Sequence, residues 1–142
     1  MANQKYEEKM YDEIQIGDEA EISKVITDED IRKFSQVSLD TNPLHLNEEF
    51  AEKTIFKQRI AHGFLGASLI SAVLGTKLPG VNTIYMSQTL NFVAPVFIGD
   101  EVTARVKVTK KRDDKHMITF ETVVVNQDGK KVITGEALVK KD

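Results

Sequence analysis

A chain of 142 residues fits one domain: at this size about 70% of the surface of the unfolded chain is buried on folding, enough for one sizeable core and not two. With 41% hydrophobic and 29% charged residues it has the balance of a soluble globular domain rather than a disordered or membrane chain. The net charge of −3 argues against a non-specific nucleic-acid binder, and the absence of cysteine excludes a disulfide framework, a thiolate zinc site and a cysteine nucleophile.

Residues 1–13 are polar and charged, without the apolar stretch of a secretory signal, and are expected to form a frayed arm or a docking segment of a single domain, 1–142, with a cytoplasmic address. In residues 14–25, Ala20 and Ile22 alternate with Glu19, Glu21 and Ser23, the period of two of a half-buried strand. This strand is entered through Ile16-Gly17-Asp18-Glu19, and the same tetrapeptide recurs as Ile98-Gly99-Asp100-Glu101 before another alternating strand, which reads as repeated turn chemistry. Thr27 with Asp30 has capping-box spacing and starts a helix carrying Ile31, Phe34 and Val37, ending near Ser38. Pro43 cannot continue that helix and biases Asn42 to an extended conformation, so residues 40–45 are expected to bend with their side chains fanned out. Asn47 can cap a second short helix carrying Phe50 and Ala51.

Residues 61–77 are apolar or small on nearly every face, the mark of an interior helix, and the longest apolar run, residues 63–74, is too short to span a bilayer. Gly66 and Gly75 cost helix propensity, which predicts the close approach of another backbone. Leu78-Pro79-Gly80 stops the helix. The pattern then changes to strands at residues 83–93, 102–109, 117–125 and 132–139, joined by polar turns at 112–115 and 127–130. One interior helix and about five hairpin-linked strands define an α+β domain in which an antiparallel sheet wraps the helix.

The chemistry concentrates in two places. Asp40-Thr41-Asn42-Pro43-Leu44-His45 puts a carboxylate, a carboxamide and an imidazole within six residues, and Ala61-His62-Gly63 opens the long helix. Carboxylate and imidazole are proton carriers, while a helix start offers unpaired N–H groups and partial positive charge to an oxygen that becomes negative. Taken singly, Asp40 is a cap or turn residue, Asn-Pro a turn and His45 a packing histidine; their joint spacing ahead of Ala-His-Gly favours catalysis. His62 is expected to order the helix start, and His116 to be solvated. Lys57, Arg59, Lys107, Lys110, Lys111 and Arg112 are solvated side chains or contacts for phosphate groups. Three histidines with no short His-x-x-x-His spacing predict no metal site.

Asp-x-Asn-Pro-x-His followed by Ala-His-Gly resembles the MaoC-like (R)-specific enoyl-CoA hydratases, or hydratase 2, over about residues 14–140, including Leu78-Pro79-Gly80 and the stretch from Asn91-Phe92 to Gly99-Asp100-Glu101. The single-domain bacterial members that supply monomers for polyhydroxyalkanoate synthesis look most similar. The resemblance implies a hot-dog fold, a homodimer, an acyl-CoA thioester as substrate and no cofactor. It implies that Asp40 and His45 hold and activate water, that the Gly63 N–H serves the thioester oxygen, that Asn42 orders the site and that Ser71 lies near the catalytic water. Phe64 and Leu65 are expected to contact the acyl chain. Leu39 departs from the pattern, standing where many members carry a small residue such as glycine. The competing readings are a hot-dog acyl-CoA thioesterase, an acyl-carrier-protein dehydratase and a non-catalytic acyl-CoA-binding module; neither a nucleic acid nor a membrane is an expected partner.

Overall fold

The computed structural model describes residues 6–142; the expectation for the first five residues of the arm lies outside the described residues. Five antiparallel strands, β1 (Glu19–Val25), β2 (Thr83–Phe92), β3 (Glu101–Arg112), β4 (Met117–Val125) and β5 (Lys131–Lys141), form a sheet in the order β1-β3-β4-β5-β2. A 3-10 turn at Tyr11–Glu13 and four α-helices precede β2 among the described residues: α1 (Asp28–Ser38), α2 (Pro43–Leu46), α3 (Glu48–Glu52) and α4 (Gly63–Thr76). The sheet curls around α4, which packs against all five strands. Leu65, Ile70, Val73 and Leu74 of α4 meet Val102, Ala104, Val106, Ile118, Phe120, Val124, Val132, Ala137 and Val139 in one core. This is the hot-dog arrangement.

Local chemistry explains the element ends. The Thr27 hydroxyl accepts from Asp30 N at 3.1 Å, and the Asp30 carboxylate accepts from Thr27 N at 3.0 Å, closing the capping box of α1. The two Ile-Gly-Asp-Glu turns are superposable in their bonding. Asp18 Oδ2 accepts from Gln15 N and Asp100 Oδ2 from Phe97 N, both at 2.9 Å, with Gly17 and Gly99 at φ 95° and 94°. Pro43 does more than break the chain: it takes the first position of α2, where its missing N–H costs nothing, and Asn42 Oδ1 caps it by accepting from Leu44 N at 3.1 Å. Residues 40–45 are therefore a cap followed by a single helical turn rather than an open bend.

The arm docks. Glu7 N donates to Thr76 O, Val81 N to Glu7 O, and Lys9 N to Pro79 O, so the segment lies against the end of α4 and Gly80, where a Cβ would fall 1.8 Å from Glu7 O. Tyr11 is buried, donates to Asp113 Oδ1 at 2.6 Å and has its hydroxyl pushed up to about 12, first by burial and then by that carboxylate. His116 stacks on the Tyr11 ring at 4.3 Å while remaining exposed. Lys111 is committed to this arm through Tyr11 O and Ile14 O, which takes it out of the pool of free phosphate contacts.

Two expectations change. Gly66 faces a side chain, Ile133 Cδ1 at 3.1 Å from a would-be Cβ, and Gly75 meets nothing within 4 Å. The helix is also left open along one stripe, where Phe64, Ser68, Ser71 and Gly75 of α4 are exposed. Neither glycine answers a neighbouring backbone of the same chain.

Leu39 is the left-handed C-cap of α1, at φ 66° and 82% exposed. A branched side chain is strained there, and glycine is the residue such caps favour. Leu39→Gly should raise stability by up to about 1 kcal/mol, a rise of about 3 °C in midpoint. Thermal unfolding followed by circular dichroism checks this, and a fall in midpoint would contradict the strain.

Candidate active site

Four elements converge at the N-terminus of α4. The loop after α1 carries Asp40, α2 carries His45, and residues 60–63 lead into α4 beneath them. That lead-in is pinned to the connection between β2 and β3 by Ala61 N donating to Val96 O at 2.8 Å and by an antiparallel bridge between Ile60 and Phe97. A polar loop is thus hung over the mouth of an interior helix whose position the sheet sets.

His45 is 8% exposed and held in one orientation. Its Nδ1 lies 2.8 Å from Ile60 O; a carbonyl only accepts, so Nδ1 carries the hydrogen and Nε2 presents a lone pair. From the other side, Arg59 Nε donates to His45 O at 2.7 Å and its terminal nitrogen pairs with Asp28. Arg59 is buried, so it braces α2 and is not a phosphate contact on the surface. The Asp40 carboxylate accepts from Asn42 N at 3.2 Å and is otherwise exposed. Donor atoms of Asp40, His45 and His62 lie within 4.8 Å of one another, the one such group of acidic and imidazole side chains among the described residues. His62 Nε2 is shared between Asp40 O and Ser35 Oγ, each at 3.0 Å, so it carries a hydrogen and is not a free ligand atom for a cation.

Gly63 is the first residue of α4, and its predecessor His62 makes no side-chain cap, so the first N–H groups of the helix have no cap to satisfy them. Gly63 is exposed toward a cavity of about 440 Å³ lined by His45, His62, Phe56, Phe64, Phe92 and Val96 among others. A Cβ on Gly63 would sit 2.6 Å from the Phe92 ring, so only glycine leaves both the approach to its N–H and that ring in place. The wall is overwhelmingly apolar, which strengthens any polar interaction made at the helix end.

The predicted site residues fall into groups. The structure brings Asp40 and His45 together and puts His45 and Gly63 on one cavity. Asn42 is occupied with capping α2. Phe64 lines this cavity and also a second groove of about 480 Å³ between α4 and β2. Ser71 lies in that second groove and not on the wall shared by His45 and Gly63. Leu65 lines neither: at 9% exposure it points into the core, because position 65 falls on the face of α4 turned to the sheet. Sequence reasoning passed over Ser35 and the clamp formed by Arg59. A serine four residues from Ile31, on the buried stripe of α1, was the available signal for the first.

Comparison with known proteins places the chain. A family model described as MaoC like domain matches residues 12–130, and the chain belongs to that family. It is 51% identical over 129 residues, 91% of this chain and 89% of that protein, to an (R)-specific enoyl-CoA hydratase of Rhodospirillum rubrum. A solved structure of the (R)-hydratase from Aeromonas caviae involved in polyhydroxyalkanoate biosynthesis aligns at a TM-score of 0.89, with 46% identity, over 91% of this chain and 98% of that one. A mitochondrial 3-hydroxyacyl-[acyl-carrier-protein] dehydratase of Arabidopsis thaliana is 36% identical over 87% of this chain and 75% of that protein.

Burial holds the His62 imidazole below its ordinary value, with the nearby His45 adding to the effect and the bond to Asp40 O opposing it. The unfolded chain therefore binds this proton at a pH where the folded chain does not, and folding stability falls as pH drops below about 6.5 toward the depressed folded value. Urea titrations between pH 7 and 5 should show this loss, and His62→Gln should flatten it. An equal slope in the variant would contradict the assignment.

Proposed function

We propose that the protein adds water to a trans-2-enoyl-CoA to give the (R)-3-hydroxyacyl-CoA, and catalyses the reverse dehydration. The observation that carries this reading is the pairing of Asp40 with a singly oriented His45 at the uncapped N-terminus of an interior helix. The activity of its 51% identical relative supports it.

The reaction needs a base for water, a proton for the α-carbon and a place for negative charge on the thioester oxygen. His45 Nε2, its lone pair free because Nδ1–H is spent on Ile60 O, takes a proton from a water that the Asp40 carboxylate orients. The oxygen of that water bonds to the β-carbon, the π electrons shift toward the thioester, and the Gly63 N–H donates to the enolate oxygen. The proton held by the pair is then returned to the α-carbon from the same face, so one water is added and the pair is restored. The chain itself supplies both proton transfer and charge stabilisation, and no cofactor is assigned a part.

Asp40→Asn and His45→Gln should each lower the hydration rate at least about a hundredfold. Crotonyl-CoA is the substrate to use, with loss of the enoyl absorbance as the readout and free thiol measured in parallel. Full turnover in either variant removes the acid–base assignment, and thiol release by the unaltered protein would make it a thioesterase. The dehydratase relative acting on acyl carrier protein favours a second reading with the same chemistry on a carrier-borne chain; crotonyl-acyl carrier protein turned over faster than crotonyl-CoA would select it.

The chain acts as a homodimer in this proposal. Both β1 and β2 are edges of the sheet, but β1 carries Glu19, Glu21 and Lys24, whereas β2 has no charged residue and exposes Ile84, Tyr85 and Met86. An uncharged apolar edge calls for a partner, and the open stripe of α4 with Phe64 at 64% exposure lies beside it. A second copy joined through β2 covers both, and gives Gly75 the close neighbour it lacks. Light scattering should report twice the 16.0 kDa of the chain. Met86→Glu should shift the mass to that of one chain, and a stable active monomer without substitution would refute the dimer.

A further inference from the structure

We propose that His62 is a positioning residue for the hydration step, holding Asp40 and His45 in one register through its ring face and its single N–H, with Ser35 as its anchor on α1. The inference rests on the functional reading above.

His62 touches both members of the pair. Its Nε2 lies 3.0 Å from Asp40 O, and its ring stacks on His45 with centroids 3.9 Å apart and planes 29° apart. On α1, Ser35 Oγ lies 3.0 Å from the same Nε2 and the Phe34 ring lies 4.9 Å from that of His62. Ser35 is itself buried, at the foot of the stripe that holds α1 to the body.

Asp40 depends on this contact more than His45 does. Its own bonds run to Ser38 Oγ at the exposed end of α1 and to Asn42 N, each only two positions away along the chain. Among the described residues, the bond its carbonyl accepts from His62 Nε2 is the one that ties it to a distant part of the chain. Without it the carboxylate rides on a segment free to drift relative to His45, and a displacement of about 1 Å can cost about a hundredfold in rate.

The proton count of His62 is set by the same geometry. Nε2 donates to a carbonyl, so it carries the one hydrogen, and Nδ1 is a lone pair sealed in the interior with no partner among the described residues. A second proton on Nδ1 would be buried with no acceptor. The ring at 3% exposure therefore stays neutral, facing His45 and Asp40 as its titratable neighbours and Phe34 and Ser35 from α1. A neutral ring beneath His45 leaves that imidazole free to accept the proton of water, which a cation stacked upon it would oppose.

The unaltered protein tests this first. In ¹⁵N-histidine NMR of its three imidazoles, His62 should show the Nε2–H tautomer and remain neutral at a pH where an exposed histidine has protonated. An Nδ1–H tautomer, or protonation at the ordinary midpoint, overturns the proposal. His62→Gln keeps a donor near Nε2 and removes the ring: kcat for crotonyl-CoA should fall about ten- to a hundredfold with KM within about threefold, and the pH profile of kcat should shift. Ser35→Ala should lower kcat by a few-fold, with the fold retained by circular dichroism. A His62→Gln protein whose kcat and pH profile match the parent within twofold overturns the positioning role. Should that variant not fold, the tautomer and Ser35→Ala decide in its place, and an unchanged kcat in Ser35→Ala counts against the proposal. Absence of hydration by the parent protein overturns the functional reading as well, and is told apart because the NMR measurement needs no turnover.

Discussion

Burial of α4 in the concave face of the sheet is the constraint on which the rest of the molecule depends. Ile70, Val73 and Leu74 are sealed against strands that approach from every side but one, and burying side chains of this size contributes about 1.5 to 3 kcal/mol each. This packing fixes the helix axis, and the axis fixes where its first N–H groups emerge. The docked arm and the Leu78-Pro79-Gly80 stop lock the opposite end through Thr76 O and Pro79 O. A helix clamped in this way makes a fixed electrostatic feature at its N-terminus instead of a fraying end.

The polar loop that completes the site is built differently. Asp40 and His45 have little apolar surface to bury, so their positions come from a chain of directional contacts: a cap at Asn42, a carbonyl at Ile60, a guanidinium at Arg59 and the imidazole of His62. The cap shapes α2 itself, and the other three tie the loop to the lead-in of α4. In the proposed reaction the work divides between a hydrogen-bond donor supplied by the helix and a proton carrier supplied by the loop, at the mouth of an apolar cavity.

Much of this was legible in the residues because local chemistry and global packing agree. The alternation of β3 and β4, the Thr27-Asp30 capping box and the paired Ile-Gly-Asp-Glu turns follow from period and side-chain type alone. The closeness of Asp40 and His45 could be read from their spacing, whereas the contacts that orient them, Ile60 O and His62, come from further along the chain. What was not legible arises across space. Ser35 reaches His62 from 27 positions away, Arg59 spends its charge on Asp28, and Leu65 turns to the core while its neighbour Phe64 turns out. Ser71 was assigned to the catalytic water from resemblance, yet it opens onto the groove beside β2. A helix apolar on nearly every face gives no indication of which face the sheet covers and which stays open.

The central claim is that carboxylate and imidazole act together from one side of the substrate, opposite no second proton source. Hydration of crotonyl-CoA in deuterated water, with the product resolved by proton NMR, tests it most directly. The account predicts one deuterium at the α-carbon, on the same face as the new hydroxyl, and an (R) centre at the β-carbon. Deuterium on the opposite face, or a mixture of the two, would contradict it.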